Sequence, residues 1–401
     1  MGLVAALTLG SAGCQRADVQ ASATDATALT VYSSLPLQGT AGPESRAVAN
    51  GQRLALREAR GKVGDLVIKL AVLDDSTPRA GRWDPEQTAD NARVAVRDRT
   101  TIAYLGDGNS GATAISLPIL NGGGVAQVSP TSTHTGLTRA QGAGKGEPEK
   151  YYPAQTRAFV RPVPADHVQA AAMLAGLRDE SCRRLYLFDD GDLEGLGLAE
   201  AVQRAAGTAS IATVARKGLR PDVDVIEAAA DVVTREADCV LVAGTLFGRL
   251  ASVMNRLHAA DARLELFASA GPAPAALAAG LNTPTQPRVH LTAPPGILEP
   301  SPGVRSFARR YREVFGKEAR SGALYGYEAM RLVLAAVRKA GPEGNDRAAV
   351  GRALFTLGER SSPLGSYRID PAGDTTSTAY SQLGVRDGRI VRRGTASYAA
   401  G

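Results

Sequence analysis

The sequence predicts an α/β protein of two lobes, each a parallel sheet covered by helices. Strand and helix patterns alternate as βαβαβαβ, and the alternation occurs twice along the chain. Polar loops of Ser, Thr, Asn and Gly follow the strands of the first series, as expected at the sheet edge where open α/β folds bind ligands. At 401 residues the chain is long enough for two or three compact units. Its 44 glycines and 22 prolines fall mainly between apolar runs, which marks turns and not a low-complexity linker.

Leu29 to Leu35 is β-rich and flanked by polar residues, so it predicts the first strand. After the loop Pro36 to Pro43, Glu44 to Ala59 has helical composition with Val48, Ala55 and Ala59 inward. Leu66 to Leu73 is the second strand and ends in Asp74-Asp75. Asp84 to Gln87 opens a helix, with Asp84 as cap, Pro85 in the first turn and Gln87 placed for a capping box. Thr101 to Leu105 is the third strand. It leads into Gly106 to Leu120, then the turn Asn121 to Gly124, the strand Val125 to Val128 and the loop Ser129 to Thr133.

Beyond a polar run at Gly142 to Pro153 the second series begins. Its strands are Arg184 to Phe188, Ile211 to Val214, Cys239 to Val242 and Leu264 to Ala268, and its helices are Gly195 to Ala206, Val223 to Thr234 and Gly248 to Ala259. Val289 to Thr292 is a short extended piece expected to return the chain to the first lobe. Helices are predicted over Val304 to Phe315, Tyr325 to Ala340 and Arg347 to Leu357. After Ser361 the pattern turns to short extended pieces, with Asp387-Gly388 as a hairpin signal. The expected division is a signal and tail at 1–28, lobe one at 29–160 and 290–360, and lobe two at 161–289 and 361–401.

Composition narrows the function classes. The net charge of +6, from 46 basic and 40 acidic residues, is spread along the chain without a Lys/Arg cluster interleaved with aromatics, so nucleic acid is not an expected partner. No oriented nucleophile and base emerges, and none of His134, His167, His258 and His290 has a metal-ligand neighbour at i+4. Neither an enzyme nor a bound cofactor or metal is expected. Gly142 to Gly146 lacks P-loop spacing, and Asp189 to Glu194 lacks the calcium-loop pattern. That acidic loop either faces a cleft, where it meets a ligand ammonium, or is a solvated turn.

Gly106, Gly108 and Gly111 match G-x-G-x-x-G, but no acidic residue ends the following strand at the distance ribose binding needs. The helix start they precede is an anion site through its free N–H groups and local dipole. A small carboxylate, a structural tight turn and a dinucleotide are the three readings, in that order. Thr131, Ser132 and Thr133 place three hydroxyls beside that helix, stiffened by Pro130. His134 is expected at the rim.

The amino end carries a separate signal. Gly2 to Gly13 is small, apolar and uncharged, too short for the roughly 20 apolar residues of a membrane span but fit for the end of an export signal. No basic start precedes it, so a clipped signal and a plain tail both stay open. Ser11-Ala-Gly-Cys14 resembles the site at which bacterial lipoproteins are cut and lipidated, here on Cys14, with simple secretion as the alternative. Cys182 and Cys239 lie at the lower ends of two apolar runs. In an oxidising compartment they either pair or remain buried thiols.

Several longer motifs point further. Tyr32-Ser-Ser-Leu-Pro-Leu-Gln-Gly39, Leu73-Asp-Asp75, Gly81-Arg-Trp-Asp-Pro-Glu-Gln-Thr88, Ser116-Leu-Pro-Ile-Leu-Asn121, Val128-Ser-Pro130, Tyr151-Tyr-Pro153, Val163-Pro-Ala-Asp-His-Val-Gln169 and Tyr325-Gly-Tyr-Glu-Ala-Met330 resemble the substrate-binding proteins of branched-chain amino-acid ABC transporters. The resemblance runs from about Leu29 to Val391. It implies the type I periplasmic-binding fold, with three crossovers between two lobes, a small amino-acid-like ligand held between them, and a membrane permease as partner to an exported monomer. It also implies that Asn109, Ser110 and Gly111 receive the ligand carboxylate, that Thr131, Ser132 and Thr133 add contacts, and that Thr245 and Leu246 form another contact region. Glu194 stands where the family usually has an aromatic residue, and Ala270 where it has the acid that pairs with the ligand ammonium. Either Glu194 has taken over amine recognition or the ligand is not a standard branched-chain amino acid. A sensory receptor with the same pocket is the alternative to transport.

Overall fold

The computed structural model describes residues 26–398 except 79, 221–222, 245–247, 272–273 and 297–300. In chain order the first part comprises β1 (Ala28–Leu35), α1 (Gly42–Glu58), β2 (Lys62–Val63), β3 (Leu66–Asp74), α2 (Pro85–Arg97), β4 (Thr101–Leu105), α3 (Ser110–Gly122), β5 (Gln127–Val128) and β6 (Phe159–Val160). Next come α4 (Asp166–Asp179), β7 (Arg184–Asp189), α5 (Leu193–Thr208), β8 (Ala212–Gly218), α6 (Val225–Thr234), β9 (Cys239–Ala243), α7 (Leu250–Ala260), β10 (Glu265–Ser269), α8 (Pro274–Gly280) and β11 (Val289–Ala293). The chain ends with α9 (Pro302–Phe315), α10 (Ser321–Ala340), α11 (Arg347–Phe355), β12 (Arg360–Ser362), β13 (Gly365–Tyr367), β14 (Ala379–Arg386) and β15 (Arg389–Ser397).

Two large sheets result. The first has the order β2-β3-β1-β4-β5-β6, all parallel except β2. The second has the order β15-β14-β11-β10-β9-β7-β8, with a parallel centre and an antiparallel pair, β14 and β15, added beside β11. Helices cover both faces of each. In lobe one α1, α9, α10 and α11 pack on one face around Leu324, Met330, Val333 and Phe307, and α2 and α3 close the other around Ala92 and Leu120. In lobe two α6, α7 and α8 pack against Val240, Leu266 and Met254, and α4 and α5 against Leu187 and Leu241.

The division of the chain differs from the expected one at two boundaries. Val289–Ala293 pairs with β10 and β14 and therefore stays in lobe two, because its apolar residues are buried within that sheet. The return crossing thus follows Ala293 and does not start at 290. Tyr367 and Ile369 join the lobe-one core, so the chain does not leave that lobe at 361. Three crossings connect the lobes: after Val160, after Ala293, and between Asp374 and Ala379.

Local chemistry accounts for most element ends. Asp84 caps α2, accepting from the N–H groups of Glu86 and Gln87 at 3.1 Å. The expected capping box is not closed, because the Gln87 amide donates to Asn91 at 3.0 Å instead. Two glycines allow α1 and α10 to touch backbone to backbone. A Cβ at Gly51 would lie 1.9 Å from the Ala323 carbonyl oxygen, and one at Gly326 would lie 2.2 Å from that of Val48. This close pair forms one wall of the space between the lobes.

At the far end of lobe two, β7 and β9 are neighbours and bring Cys182 and Cys239 together, with Cα atoms 5.9 Å apart. That is the separation a disulfide needs.

Candidate functional site

A cavity of about 340 Å³ lies between the lobes. Strand-end loops and helix starts of both lobes form it, because in parallel sheets these converge at one edge. Lobe one contributes Glu44 and Val48 from α1, Trp83 from the loop before α2, Asn109 before α3, Thr131 and Thr133 after β5, and Tyr325 of α10. Lobe two contributes Gln169 of α4, Glu194 of α5, Leu250, Ala270, Leu277 and Tyr380. Apolar side chains dominate this lining, as in most sites for small organic molecules.

The lobes meet across the cavity mouth. Trp83 Nε1 donates to Asp192 Oδ2 at 3.1 Å, and the Arg82 guanidinium lies 3.4 Å from the same oxygen. Asp192 also caps α5 through the Leu193 N–H at 2.7 Å. Asn109 reaches Glu194 at 3.4 Å. Hence the acidic loop before α5 faces the cleft.

Of the expected site residues, Asn109, Thr131, Thr133, Glu194 and Ala270 line the cavity. Ser110, Gly111 and Ser132 are not among its lining residues; Ser110 and Ser132 tie the two loops to each other. The Ser110 hydroxyl receives the N–H groups of Thr133 and His134, both at 3.1 Å, and the Gly111 N–H donates to Asn109 Oδ1 at 2.7 Å. Ser132 Oγ lies 2.8 Å from Thr113 Oγ1 and contacts the Asp107 carbonyl. Thr245, Leu246 and Cys14 lie outside the described residues. His134 is not at the rim: it is buried beside Glu147 Oε2 at 2.9 Å, because the hinge network folds its loop inward.

That network centres on Arg161, whose side chain is fully buried just after β6. Its guanidinium donates to Asp374 Oδ1 at 2.8 Å, to the carbonyls of Ser132 and His134 at 3.1 and 2.8 Å, and to Thr138 Oγ1 at 2.8 Å. Arg139 adds a bond to Asp374 Oδ2 at 2.6 Å. Burial would raise the Asp374 carboxyl, but the Arg161 and Arg139 charges outweigh it and hold the group below the usual range. One ion-pair cluster therefore joins two interlobe crossings to the hydroxyl-bearing loop of the cavity.

Two acids, Glu44 and Glu194, line the cavity, and the Arg320 charge acts on the first of them. Burial, followed by the charges of Asp166, Asp190 and Asp192, pushes the Glu194 carboxyl well up. Glu44 is raised chiefly by burial as well. Its Oε1 accepts from the Ser321 hydroxyl and the Gly322 N–H at the start of α10, whereas Oε2 is buried without a hydrogen-bond partner among the described residues. Glu44 and Trp83 were missed in the sequence, although Trp83 stands inside the Gly81 to Thr88 motif. The signal available for Glu44 was its place in the first turn of a helix that follows a strand-end loop.

Three interlobe crossings and a mostly apolar cavity walled by both lobes define a two-lobed receptor for a small molecule. The model of the periplasmic binding protein family matches residues 33–389. The chain belongs to that family, and its fold is the type I periplasmic-binding fold. None of the curated proteins compared with it matches in sequence. Among solved structures, a leucine binding protein from Thermotoga maritima superposes with a TM-score of 0.76 at 19% identity, covering 92% of this chain and 99% of the other. A benzoate-bound solute binding protein of an ABC transporter from R. palustris gives 0.75 at 18% identity, covering 92% and 97%. An isoleucine-bound branched-chain amino acid transporter substrate binding protein from Streptococcus pneumoniae gives 0.74 at 16% identity, covering 92% and 99%. The family places the protein outside the cytoplasm, and among the described residues no helix is long and apolar enough to cross a membrane.

Proposed function

We propose that this protein is the extracytoplasmic solute-binding component of an ABC importer, which captures a small organic solute of the amino-acid, amide or carboxylate class by lobe closure and passes it to a membrane permease. The observation that carries this reading is the cavity of about 340 Å³ walled by both lobes and bridged by Trp83–Asp192 and Asn109–Glu194. Lobe closure makes contacts that only the ligand-bound closed state satisfies, so the solute shifts the open–closed equilibrium by its differential affinity. Reversible binding requires no nucleophile and base, and the described lining residues bring no such pair together. Lipidation of Cys14 fits this location and would tether the receptor beside its permease.

Native mass spectrometry of the freshly purified protein tests the reading. Retention of one small molecule per chain, released on denaturation, supports it. Coupled uptake into proteoliposomes with the cognate permease then separates import from sensing: solute binding without receptor-dependent uptake would contradict the transport role.

A further inference from the structure

Resting on the receptor reading but departing from the amino-acid, amide and carboxylate solutes named with it, we infer that the solute is a small organic amine with an apolar body and no free carboxylate. The charged side chains lining the cavity, among the described residues, are Glu44, Arg82 and Glu194. The Arg82 guanidinium is paired with Asp192 at 3.4 Å and is about half exposed at the mouth.

The two acids come from opposite lobes, Glu44 from α1 and Glu194 from α5. Among the described residues Glu44 Oε2 is buried without a hydrogen-bond partner, the Arg320 charge acting on that carboxyl only as a smaller influence than burial, and the Asn109 amide reaches Glu194 only at 3.4 Å. Carboxylates in so apolar a space carry a desolvation cost that a cation would offset. An ammonium supplies that charge together with up to three N–H donors. Closure around it brings acids of both lobes toward one positive centre, which is a differential interaction of the kind that drives closure.

A carboxylate finds the opposite. Ser110 and Gly111, expected to receive it, are not lining residues: the Gly111 N–H donates to Asn109 Oδ1 at 2.7 Å, and the Ser110 hydroxyl accepts two backbone N–H groups of the neighbouring loop. Like charges within a poorly solvated cavity repel. The rest of the lining, including Val48, Leu250, Leu277 and Tyr325, suits a branched aliphatic or aromatic body. The volume is at the small end for organic-ligand pockets.

Calorimetry of the full chain with 3-methylbutylamine, benzylamine, 3-methylbutanoate, benzoate and leucine tests this. At least one amine is expected to bind ten-fold or more tightly than the acid of the same skeleton and than leucine. Glu194→Gln is expected to weaken that amine about 30-fold, by loss of a charge-assisted contact. Glu44→Gln, which keeps an acceptor oxygen for Gly322, is expected to weaken it less. Near-UV circular dichroism establishes that both variants fold. Tighter binding of either acid or of leucine, amine binding unmoved by both substitutions, or no binding of either amine would overturn the inference. Acid or leucine binding would do so while leaving the receptor reading intact; that reading falls only if, in addition, no solute is retained in native mass spectrometry.

Discussion

Replacing Arg161 by Met removes the fully buried guanidinium that joins two interlobe crossings. Four hydrogen bonds go with it: one to Asp374, two to the carbonyls of Ser132 and His134, and one to Thr138. Removing one partner of a buried ion pair costs about 3–5 kcal/mol, since the other charge is left desolvated. Arg139 still holds Asp374 Oδ2 at 2.6 Å, which argues for the lower part of that range from the charge alone. Two carbonyls that lose a donor add about 1 kcal/mol each. The expected destabilisation is therefore about 5 kcal/mol, read as a fall in the urea midpoint at unchanged slope. Arg161→Met combined with Asp374→Leu should recover a substantial part, because no buried carboxylate remains to be neutralised. Ligand affinity should fall in the single variant even where the protein is folded, because Ser132 lies between the lining residues Thr131 and Thr133. A loss of less than about 1 kcal/mol in Arg161→Met would refute the buried-pair reasoning.

Three further outcomes are expected. Burial outweighs the hydrogen bonds made to Asp107 and leaves its carboxyl raised to about 6, next to Asp75, which burial and the Asp107 charge push well up. Groups raised on folding bind more protons in the native state, so their stability contribution is present at acid pH and lost as pH rises through about 6. Two pK units correspond to roughly 3 kcal/mol, and urea unfolding at pH 4 and pH 8 should show a smaller loss in Asp75→Asn than in the unsubstituted protein; an equal loss would contradict the coupling. Mass analysis with and without reduction should show Cys182 and Cys239 oxidised in exported protein. A bridge spanning 57 residues contributes about 4 kcal/mol in the chain-entropy description, and two free thiols would end the idea. Gly326→Ala places a Cβ 2.2 Å from the Val48 carbonyl oxygen and should cost about 1–3 kcal/mol in thermal or urea unfolding while weakening solute binding through the displaced wall; neutral behaviour would show that α1 and α10 yield more easily than their packing implies.

Alternating strands and helices carried much of the architecture in plain view. The run from Thr101 to Thr133 read correctly because each strand is a short apolar block and each helix opens on a small polar residue. Two other features were less legible. Helix α4 was not recognised: it is buried on several sides, at Val168, Ala170, Ala172, Met173 and Leu177, so it lacks the apolar stripe that a surface helix shows. The strand Val289–Ala293 was assigned to the wrong lobe, since its pairing with β10 and β14 is a long-range choice that four apolar residues do not encode. At the site, polar loop residues divided according to direction. Asn109, Thr131 and Thr133 line the cavity, whereas Ser110 and Ser132, adjacent in sequence and equally polar, turn inward to bond neighbouring loops. Composition cannot separate these fates because they depend on backbone orientation. Glu44 escaped notice for a related reason: its role beside α10 joins residues 277 positions apart.

The chain has a single tryptophan, Trp83, and it lines the cavity while bonding Asp192 across the mouth. Its fluorescence during titration with a solute identified by native mass spectrometry tests directly that this molecule is held between the lobes. The account predicts a saturable change with one site per chain, and a loss of affinity of at least ten-fold in Ala270→Phe, which adds a ring at a lining position, with near-UV circular dichroism establishing that the variant folds. A solute that binds with no effect on Trp83 emission and equal affinity for Ala270→Phe would place the binding site elsewhere and contradict the account.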